Sequence, residues 1–285
     1  MDALEKKVKI TKKGLHFFIV LILMICLALP VSAQEPKTAS VPIIMYHSLR
    51  NGGGDTSISP DAFEADLKYL AEAGYETVFI SDLVSFVVDG VPLPEKAIVL
   101  TFDDGYYNNY SVGLPLAEKY DAKIVVSVIG KDTEIWSEAD YVDEGGGHLT
   151  WTQICEMADS GRVEICNHTW DLHKICDGRK GCSIAKGEEP ECYRGILSED
   201  VSQLQQALQE NCGLTPTVFT YPFGAYCCQT TEILKEMGFS ATVLCFDGMD
   251  TLTQGDASCL YELHRYNRTP DRSVKAILKL IEDKK

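Results

Sequence analysis

Residues 97–105 have the sequence Ala-Ile-Val-Leu-Thr-Phe-Asp-Asp-Gly. The apolar run Ala97–Phe102 predicts a β-strand, and Asp103 and Asp104 follow it directly. Two adjacent carboxylates repel each other, so their place at a strand end suggests a metal ion or a shared proton that offsets the repulsion. Asp-Asp-Gly also forms ordinary turns. These residues alone therefore leave both a functional site and a plain turn open.

Six further apolar runs predict strands, and the segments between them predict helices. The predicted strands cover residues 42–45, 77–80, 123–129, 163–166, 218–221 and 241–245. One predicted helix begins at Pro60, with Ser59 as its N-cap, and stops at Gly74. Other predicted helices cover residues 81–88, 109–119, 152–158, 198–210, 230–237 and 273–281. This alternation predicts an α/β fold, a distorted (β/α) barrel of about seven parallel strands.

Polar residues just past the strand ends are the candidates for a site, because barrels of this type build their sites there. His168 and His173 follow the strand at residues 163–166. Residues five apart lie about 140° apart on a helix, so the two rings can converge only from a loop. A lone histidine at a strand end is more often a hydrogen-bonding residue than a ligand. Two histidines together with the aspartate pair favour a metal site.

The third polar strand end is the turn that begins after Thr220. Pro222 and Gly224 lie among aromatic residues there, which predicts a rigid turn that presents backbone N–H groups and a stacking surface. The alternative is an ordinary strand-to-helix turn.

Together these segments resemble the NodB-homology polysaccharide deacetylases, also called carbohydrate esterase family four, over residues 41–285. The resemblance implies one divalent metal ion, with zinc as the first candidate and cobalt, nickel or iron as alternatives. It implies metal ligation by Asp104, His168 and His173, with Asp103 as general base and the Phe223 N–H as oxyanion donor. The expected substrate-binding residues are Tyr221, Pro222, Phe223 and Gly224 of the turn. Trp170 is a further candidate, as a stacking surface for a sugar ring, with a place in the core as the alternative.

The sequence departs from the common family pattern in ways that resemble the biofilm poly-N-acetylglucosamine deacetylases. The spacing of His168 and His173 is one residue longer than usual, and Thr220 stands where the family's arginine precedes the turn. We therefore expect the arginine that orients the base to be missing. His264 is the candidate general acid. His47 either lines the pocket or is a buried structural residue.

The first 33 residues predict a signal peptide, since five lysines precede the apolar run at residues 17–29 and small residues follow at Val31 and Ala33. The alternative is an uncleaved membrane anchor. Residues 34–40 form a linker, and residues 41–285 form the catalytic domain. The protein is therefore predicted to be exported, either extracellular or at the cell surface, and to contact a membrane only through this segment.

Charge and cysteine content limit the partners and the covalent structure. The formal net charge is -16, which disfavours nucleic acid as a partner. The chain has eleven cysteines, and three in the polar stretch after Asp171 form the expected local pairing set, namely Cys176, Cys182 and Cys192. A separate polar insertion covers residues 174–191. We expect a monomer.

The sequence as a whole predicts an exported, metal-dependent N-deacetylase of polymers that contain N-acetylglucosamine, either poly-N-acetylglucosamine or peptidoglycan. One alternative is a carbohydrate-binding surface protein of weak activity. The other is a small-molecule amidase on the same fold.

Overall fold

The strand that precedes the aspartate pair lies inside the main sheet of the fold. A computed structural model describes residues 35–139 and 146–284. The chain divides into two units, Met1–Pro36 and Lys37–Lys285, and only Glu35 and Pro36 of the first are described. The predicted signal peptide lies outside the described residues. Within the described ranges, no helix is long and apolar enough to cross a membrane.

The strands and helices alternate along the second unit. The described strands are β1 (Thr38–Ala39), β2 (Ile43–Tyr46), β3 (Ser48–Leu49), β4 (Ser57–Ile58), β5 (Glu76–Thr77), β6 (Ala97–Phe102), β7 (Ile124–Val128), β8 (Val163–Asn167), β9 (Ile175–Cys176), β10 (Arg179–Lys180), β11 (Val218–Thr220), β12 (Ala241–Val243), β13 (Leu252–Thr253) and β14 (Tyr266–Asn267). The described α-helices are α1 (Pro60–Glu72), α2 (Ile80–Val88), α3 (Leu114–Lys119), α4 (Gly130–Glu138), α5 (Trp151–Asp159), α6 (Pro190–Cys212), α7 (Cys228–Glu236) and α8 (Val274–Glu282). A π-helical turn covers Asn109–Gly113, and 3-10 turns cover Pro222–Gly224 and Ala257–Leu260.

Seven parallel strands form the main sheet in the order β12-β11-β8-β7-β6-β2-β14, and β5 pairs with the start of β6. The segment from Leu263 to Asn267 lies at both edges of this sheet, because it contains the edge strand β14 and bridges to the other edge strand, β12. Leu263 bridges to Val243 at the end of β12, and β14 pairs with β2. The sheet therefore curls into the distorted barrel that the sequence predicts.

Alternate residues of β6 belong to two separate parts of the core. Ile98 and Leu100 are buried in a cluster that includes helix residues such as Leu204 of α6. Val99 is buried in a second cluster with residues of the neighbouring strands, such as Val125. Because both faces of the strand are covered, the sequence of β6 is continuously apolar and does not alternate with polar residues.

One predicted strand is wrong after its first residue. Residues 77–80 do not continue as a strand, because β5 ends at Thr77 and α2 begins at Ile80. The carboxylate of Glu164 accepts hydrogen bonds from the N–H groups of Ile80, at 2.8 Å, and Ser81, at 3.2 Å. These bonds satisfy free N–H groups at the start of α2 from a distant strand. Local sequence does not reveal such a partner.

The polar insertion is more ordered than the sequence predicts. It contains a small hairpin, in which β9 and β10 pair antiparallel. Helix α6 then begins at Pro190, well before the predicted start at residue 198, with proline in the first turn where its missing N–H is not needed. Helix α4 has no predicted counterpart.

The one disulfide of the described residues joins Cys155 of α5 to Cys212 at the end of α6. The packing of these two helices brings the two Cα atoms to 5.1 Å, a separation that a disulfide can span. Cys176, Cys182 and Cys192 are free, with Cys182 buried and Cys192 exposed. The expected local pairing is therefore wrong, because helix packing and not nearness in sequence sets the pair.

Candidate active site

The two aspartates that follow β6 point in different directions. Asp103 continues the strand, since its N–H donates to the Tyr46 carbonyl at 3.0 Å. Asp104 has a φ of 72°, in the left-handed region that is uncommon for a residue with a side chain. Gly105 follows with a φ of 66°, and a Cβ there would come within 3.1 Å of Val128 Cγ1. This turn separates the two carboxylates and gives them different partners.

Arg265 holds the carboxylate of Asp103 through both of its oxygens. Arg265 Nη1 and Nη2 donate to Asp103 Oδ1 and Oδ2, each at 2.7 Å, and Nη1 also donates to Thr101 Oγ1 at 2.9 Å. Burial raises the pKa of the Asp103 carboxyl, but the charge and hydrogen bonds of the buried Arg265 outweigh it and hold the pKa below its usual range. Asp103 is therefore ionised at neutral pH and fixed in orientation.

The expectation that the base-orienting arginine is missing is wrong. Thr220, which stands at the family's arginine position, has its Oγ1 2.7 Å from Ser127 Oγ. Arg265 supplies the guanidinium from the segment that lies at both edges of the sheet. The sequence signal for it is weak, because a single arginine next to His264 is not distinguishable from a surface arginine without knowledge of which strands meet.

Asp104, His168 and His173 form a cluster that could hold a metal ion. Asp104 Oδ1 lies 3.5 Å from His168 Nε2 and 3.3 Å from His173 Nε2, and the three ligand atoms all lie within 4.8 Å of one another. Ligand atoms about 2 Å from a tetrahedral ion lie roughly 3.3 Å apart. The structure therefore brings the three predicted ligands together at a spacing that fits zinc, and the two histidines converge from a loop, as expected.

A hydrogen bond fixes which nitrogen of His168 faces this cluster. His168 Nδ1 lies 2.7 Å from the carbonyl oxygen of Thr220. Because a carbonyl can only accept, Nδ1 carries the proton and Nε2 keeps a lone pair for a metal. Thr220 thus acts through its backbone, a role that is independent of its side chain.

The ionisation states of the cluster suit metal binding. Burial lowers the pKa of His173 to about 4, so its ring is neutral at pH 7. Burial opposes the charge of Asp104, but the neighbouring imidazoles of His168 and His47 hold the pKa of that carboxyl well below its usual range. One anionic carboxylate and two imidazoles are a ligand set that zinc commonly takes.

The turn at Pro222–Gly224 lies beside His173. The ring centroids of Phe223 and His173 are 4.3 Å apart, and Phe223 has a φ of 57°. The hydrogen bonds of this turn are donated by the N–H groups of Gly224 and Ala225. The N–H of Phe223 is not used in them, which suits a donor that serves a substrate.

Two predicted substrate-binding residues have packing contacts, and their role with substrate stays a prediction. Tyr221 is buried, its ring stacks on Tyr226 with centroids 4.9 Å apart, and its hydroxyl lies 3.0 Å from Thr231 Oγ1. Trp170 packs against the start of α4, where a Cβ added to Gly130 would come within 2.3 Å of its ring. Phe223 and Trp170 are both half-buried, and the ring of Phe223 contacts that of His173 in the cluster.

His264 and Asp250 form a partly exposed pair. His264 Nδ1 lies 3.1 Å from Asp250 Oδ1, and the His264 N–H donates to Asp250 Oδ2 at 2.7 Å. The carboxylate therefore orients the ring. Among the described residues, the contacts of His264 do not include Asp104, His168 or His173, so its role as general acid stays a prediction.

His47 lies closer to the aspartate pair. Its charge is among the causes, after the larger effects named above, that lower the pKa of Asp103 and Asp104. Its Nδ1 is buried and has no hydrogen-bond partner among the described residues. His47 therefore lies within electrostatic reach of the aspartate pair, and whether it lines the pocket or is a structural residue stays a prediction.

The sequence matches a known protein family over much of its length. Residues 90–242, more than half of the chain, match the family model described as polysaccharide deacetylase. The chain belongs to the polysaccharide deacetylase family. This deacetylase is accordingly a hydrolase of N-acetyl amide bonds, and the resemblance found in the sequence is confirmed.

Three relatives illustrate the similarity. The chain is 28% identical over 252 residues to YxkH of Bacillus subtilis (strain 168), a protein named for this family, with 88% of this chain and 80% of the relative covered. It is 28% identical over 235 residues to the poly-beta-1,6-N-acetyl-D-glucosamine N-deacetylase of Escherichia coli (strain K12), which covers 75% of this chain but 35% of that protein. The solved structure of IcaB from Ammonifex degensii matches with a TM-score of 0.67 at 27% identity, over 81% of this chain and 93% of that one.

Proposed function

We propose that this deacetylase is exported and metal-dependent, and that it removes acetyl groups from polymers of N-acetylglucosamine. The observation that carries the proposal is the adjacency of two differently held carboxylates. Asp104 lies in a cluster with two histidines, and both oxygens of Asp103 accept hydrogen bonds from the buried Arg265. This arrangement supports a metal-binding role for one carboxylate and a proton-accepting role for the other.

The proposed mechanism assigns one role to each group. Asp104, His168 and His173 would hold a divalent ion, which would act as a Lewis acid on the acetyl carbonyl and lower the pKa of a bound water. Asp103, whose carboxylate is held in position by Arg265, takes the proton of the attacking water. The N–H of Phe223 donates to the developing oxyanion. The products are acetate and a free amine.

Zinc is the proposed ion, since the ligand set of one carboxylate and two imidazoles suits it, with cobalt, nickel and iron as alternatives. The carbohydrate-binding alternative rested in part on a missing arginine. Arg265 holds the carboxylate of Asp103 from another part of the chain, so the absence of an arginine at residue 220 does not favour an inactive protein.

Poly-β-1,6-N-acetylglucosamine is the proposed polymer. Support comes from the E. coli relative of that name and from the similarity to IcaB. Acetate release should be measured with this polymer, with peptidoglycan and with small N-acetyl amides. We expect the highest kcat/KM for the polymer of N-acetylglucosamine. Preference for peptidoglycan would reassign the substrate, and equal turnover of small amides would support an amidase.

We propose His264 as the general acid that protonates the leaving amine, with Asp250 orienting its ring. His264→Ala should lower kcat on N-acetylated sugar by about 10²- to 10⁴-fold, because the amine must leave protonated. An aryl acetate, whose leaving group needs no proton, should be cleaved at close to the wild-type rate. His47→Ala is the matched variant. If His47→Ala shows this substrate-dependent loss and His264→Ala does not, the acid is His47.

The proposal of export rests on the signal-peptide pattern. The exported chain should begin near Gln34, which N-terminal sequencing of the secreted protein would show. A secreted or surface form that retains residues 17–29 would indicate an anchor instead.

A further inference from the structure

The loop between the two metal-binding histidines receives its main support from a helix far along the chain. Asp200 of α6 accepts a hydrogen bond from the Trp170 N–H through Oδ1, at 2.8 Å. Its other oxygen accepts from the Asp171 N–H, at 2.9 Å. One carboxylate therefore accepts hydrogen bonds from two successive N–H groups of the segment between His168 and His173.

This loop needs external support because its backbone is strained. Thr169 has a φ of 76°, in the left-handed region, which is unfavourable for a residue with a branched side chain. The loop forms no helix whose own hydrogen bonds could hold it. Without partners from elsewhere, the loop would relax toward conformations that separate the two rings.

Other contacts fix the opposite side of the loop. The N–H groups of Gly130 and Lys131, at the start of α4, donate to the carbonyls of Thr169 and Trp170, at 3.1 and 2.9 Å. Asp200 therefore completes a clamp in which α4 holds carbonyl groups and α6 holds N–H groups. A carboxylate is suited to this, because it accepts at both oxygens and makes charge-assisted bonds that are stronger than neutral ones.

The side chain of Asp171, by contrast, points to solvent. It forms ion pairs with Lys131, at 2.9 Å, and Lys174, at 2.7 Å, and all three side chains are at least one-third exposed. Exposed pairs of this kind contribute little. The part-buried bonds to Asp200, together with those from α4, are thus the contacts that fix the backbone of this segment.

We infer that Asp200 is a positioning residue for the metal site, which sets the separation of His168 and His173 by clamping the backbone between them. This inference rests on the proposed function, since it takes the cluster to be a metal centre. Groups that orient metal ligands without touching the ion typically change metal affinity by 10- to 100-fold when they are removed.

The test is metal binding by the full chain. Asp200→Ala should weaken the affinity for Zn²⁺ and Co²⁺ by about 10- to 100-fold and change the visible absorption spectrum of bound Co²⁺, which reports ligand geometry. Asp200→Asn keeps one acceptor and places an amide donor against an N–H, so its effect should be intermediate. Glu199→Ala is the matched control, because it removes the same charge from an exposed neighbouring position of α6 and should leave affinity and spectrum unchanged.

Wild-type affinity and spectrum in Asp200→Ala would overturn the inference, as would equal losses in Asp200→Ala and Glu199→Ala. If Asp200→Ala does not fold, Asp200→Asn decides by the same two measurements. His173→Ala separates this from the proposed function: if the wild type binds metal no better than His173→Ala, the metal centre itself is wrong, whatever Asp200 does.

Discussion

Asp103→Asn should keep its bound metal near the wild-type amount and lose turnover by about 10²- to 10⁴-fold, the loss typical of a removed general base. The amide has the shape of the carboxylate but cannot take a proton from water. It also leaves the buried Arg265 without its counter-charge, which should lower stability by about 3–5 kcal/mol. Metal content and the initial rate of acetate release should therefore be measured on the same samples, well below the Tm of the variant.

The adjacent aspartate should behave in the opposite way. Asp104→Asn, His168→Ala and His173→Ala should each lose metal, because each removes one of three protein ligands. The contrast between neighbouring residues is the control, since a general disturbance of the turn would affect both alike. Equal loss of metal in Asp103→Asn and Asp104→Asn, or a wild-type rate in Asp103→Asn, would contradict the roles assigned here.

The parts of the fold that the sequence predicts well are those fixed by local pattern. Strand β6 covers Ala97–Phe102 as predicted, because burial on both faces requires an unbroken apolar run. Helix α1 begins at Pro60, where Ser59 accepts from the Ala62 N–H as an N-cap. These signals lie within a few residues of the structure they specify.

The parts that the sequence misses depend on contacts between distant segments. Arg265 and Asp103 meet because the last strand of the sheet returns beside β2, which neighbours β6, and no local pattern encodes that return. The pair of Cys155 and Cys212 depends on how two helices pack. Asp200 is one acid among many in a helical segment until the loop it clamps is known.

The candidate metal ligands are predicted in part from the sequence. The polar residues at two strand ends indicate a site, because strand ends of a barrel converge on one face. The residue-by-residue roles came from the family resemblance. The structure adds the detail that neither supplies, such as the hydrogen bond from His168 Nδ1 to the Thr220 carbonyl that turns Nε2 to the cluster.

Removal of metal should have the largest effect of all. The proposed reaction needs an ion both to activate water and to polarise the acetyl carbonyl, and the charged groups of the site cannot replace both functions. Asp103 alone, with a pKa held below its usual range by Arg265, is a weak base toward ordinary water. Activity should therefore fall to background on chelation and return when zinc or cobalt is added.

The most direct test of the central claim is acetate release from poly-β-1,6-N-acetylglucosamine by one preparation of the protein, assayed as purified, after exhaustive chelation and dialysis, and after readdition of one equivalent of Zn²⁺ or Co²⁺. His173→Ala, carried through the same steps, is the control for ions bound elsewhere. The account predicts loss of acetate release on chelation and recovery at about one ion per chain, with little recovery in His173→Ala. Undiminished acetate release by protein shown to be free of metal would contradict it.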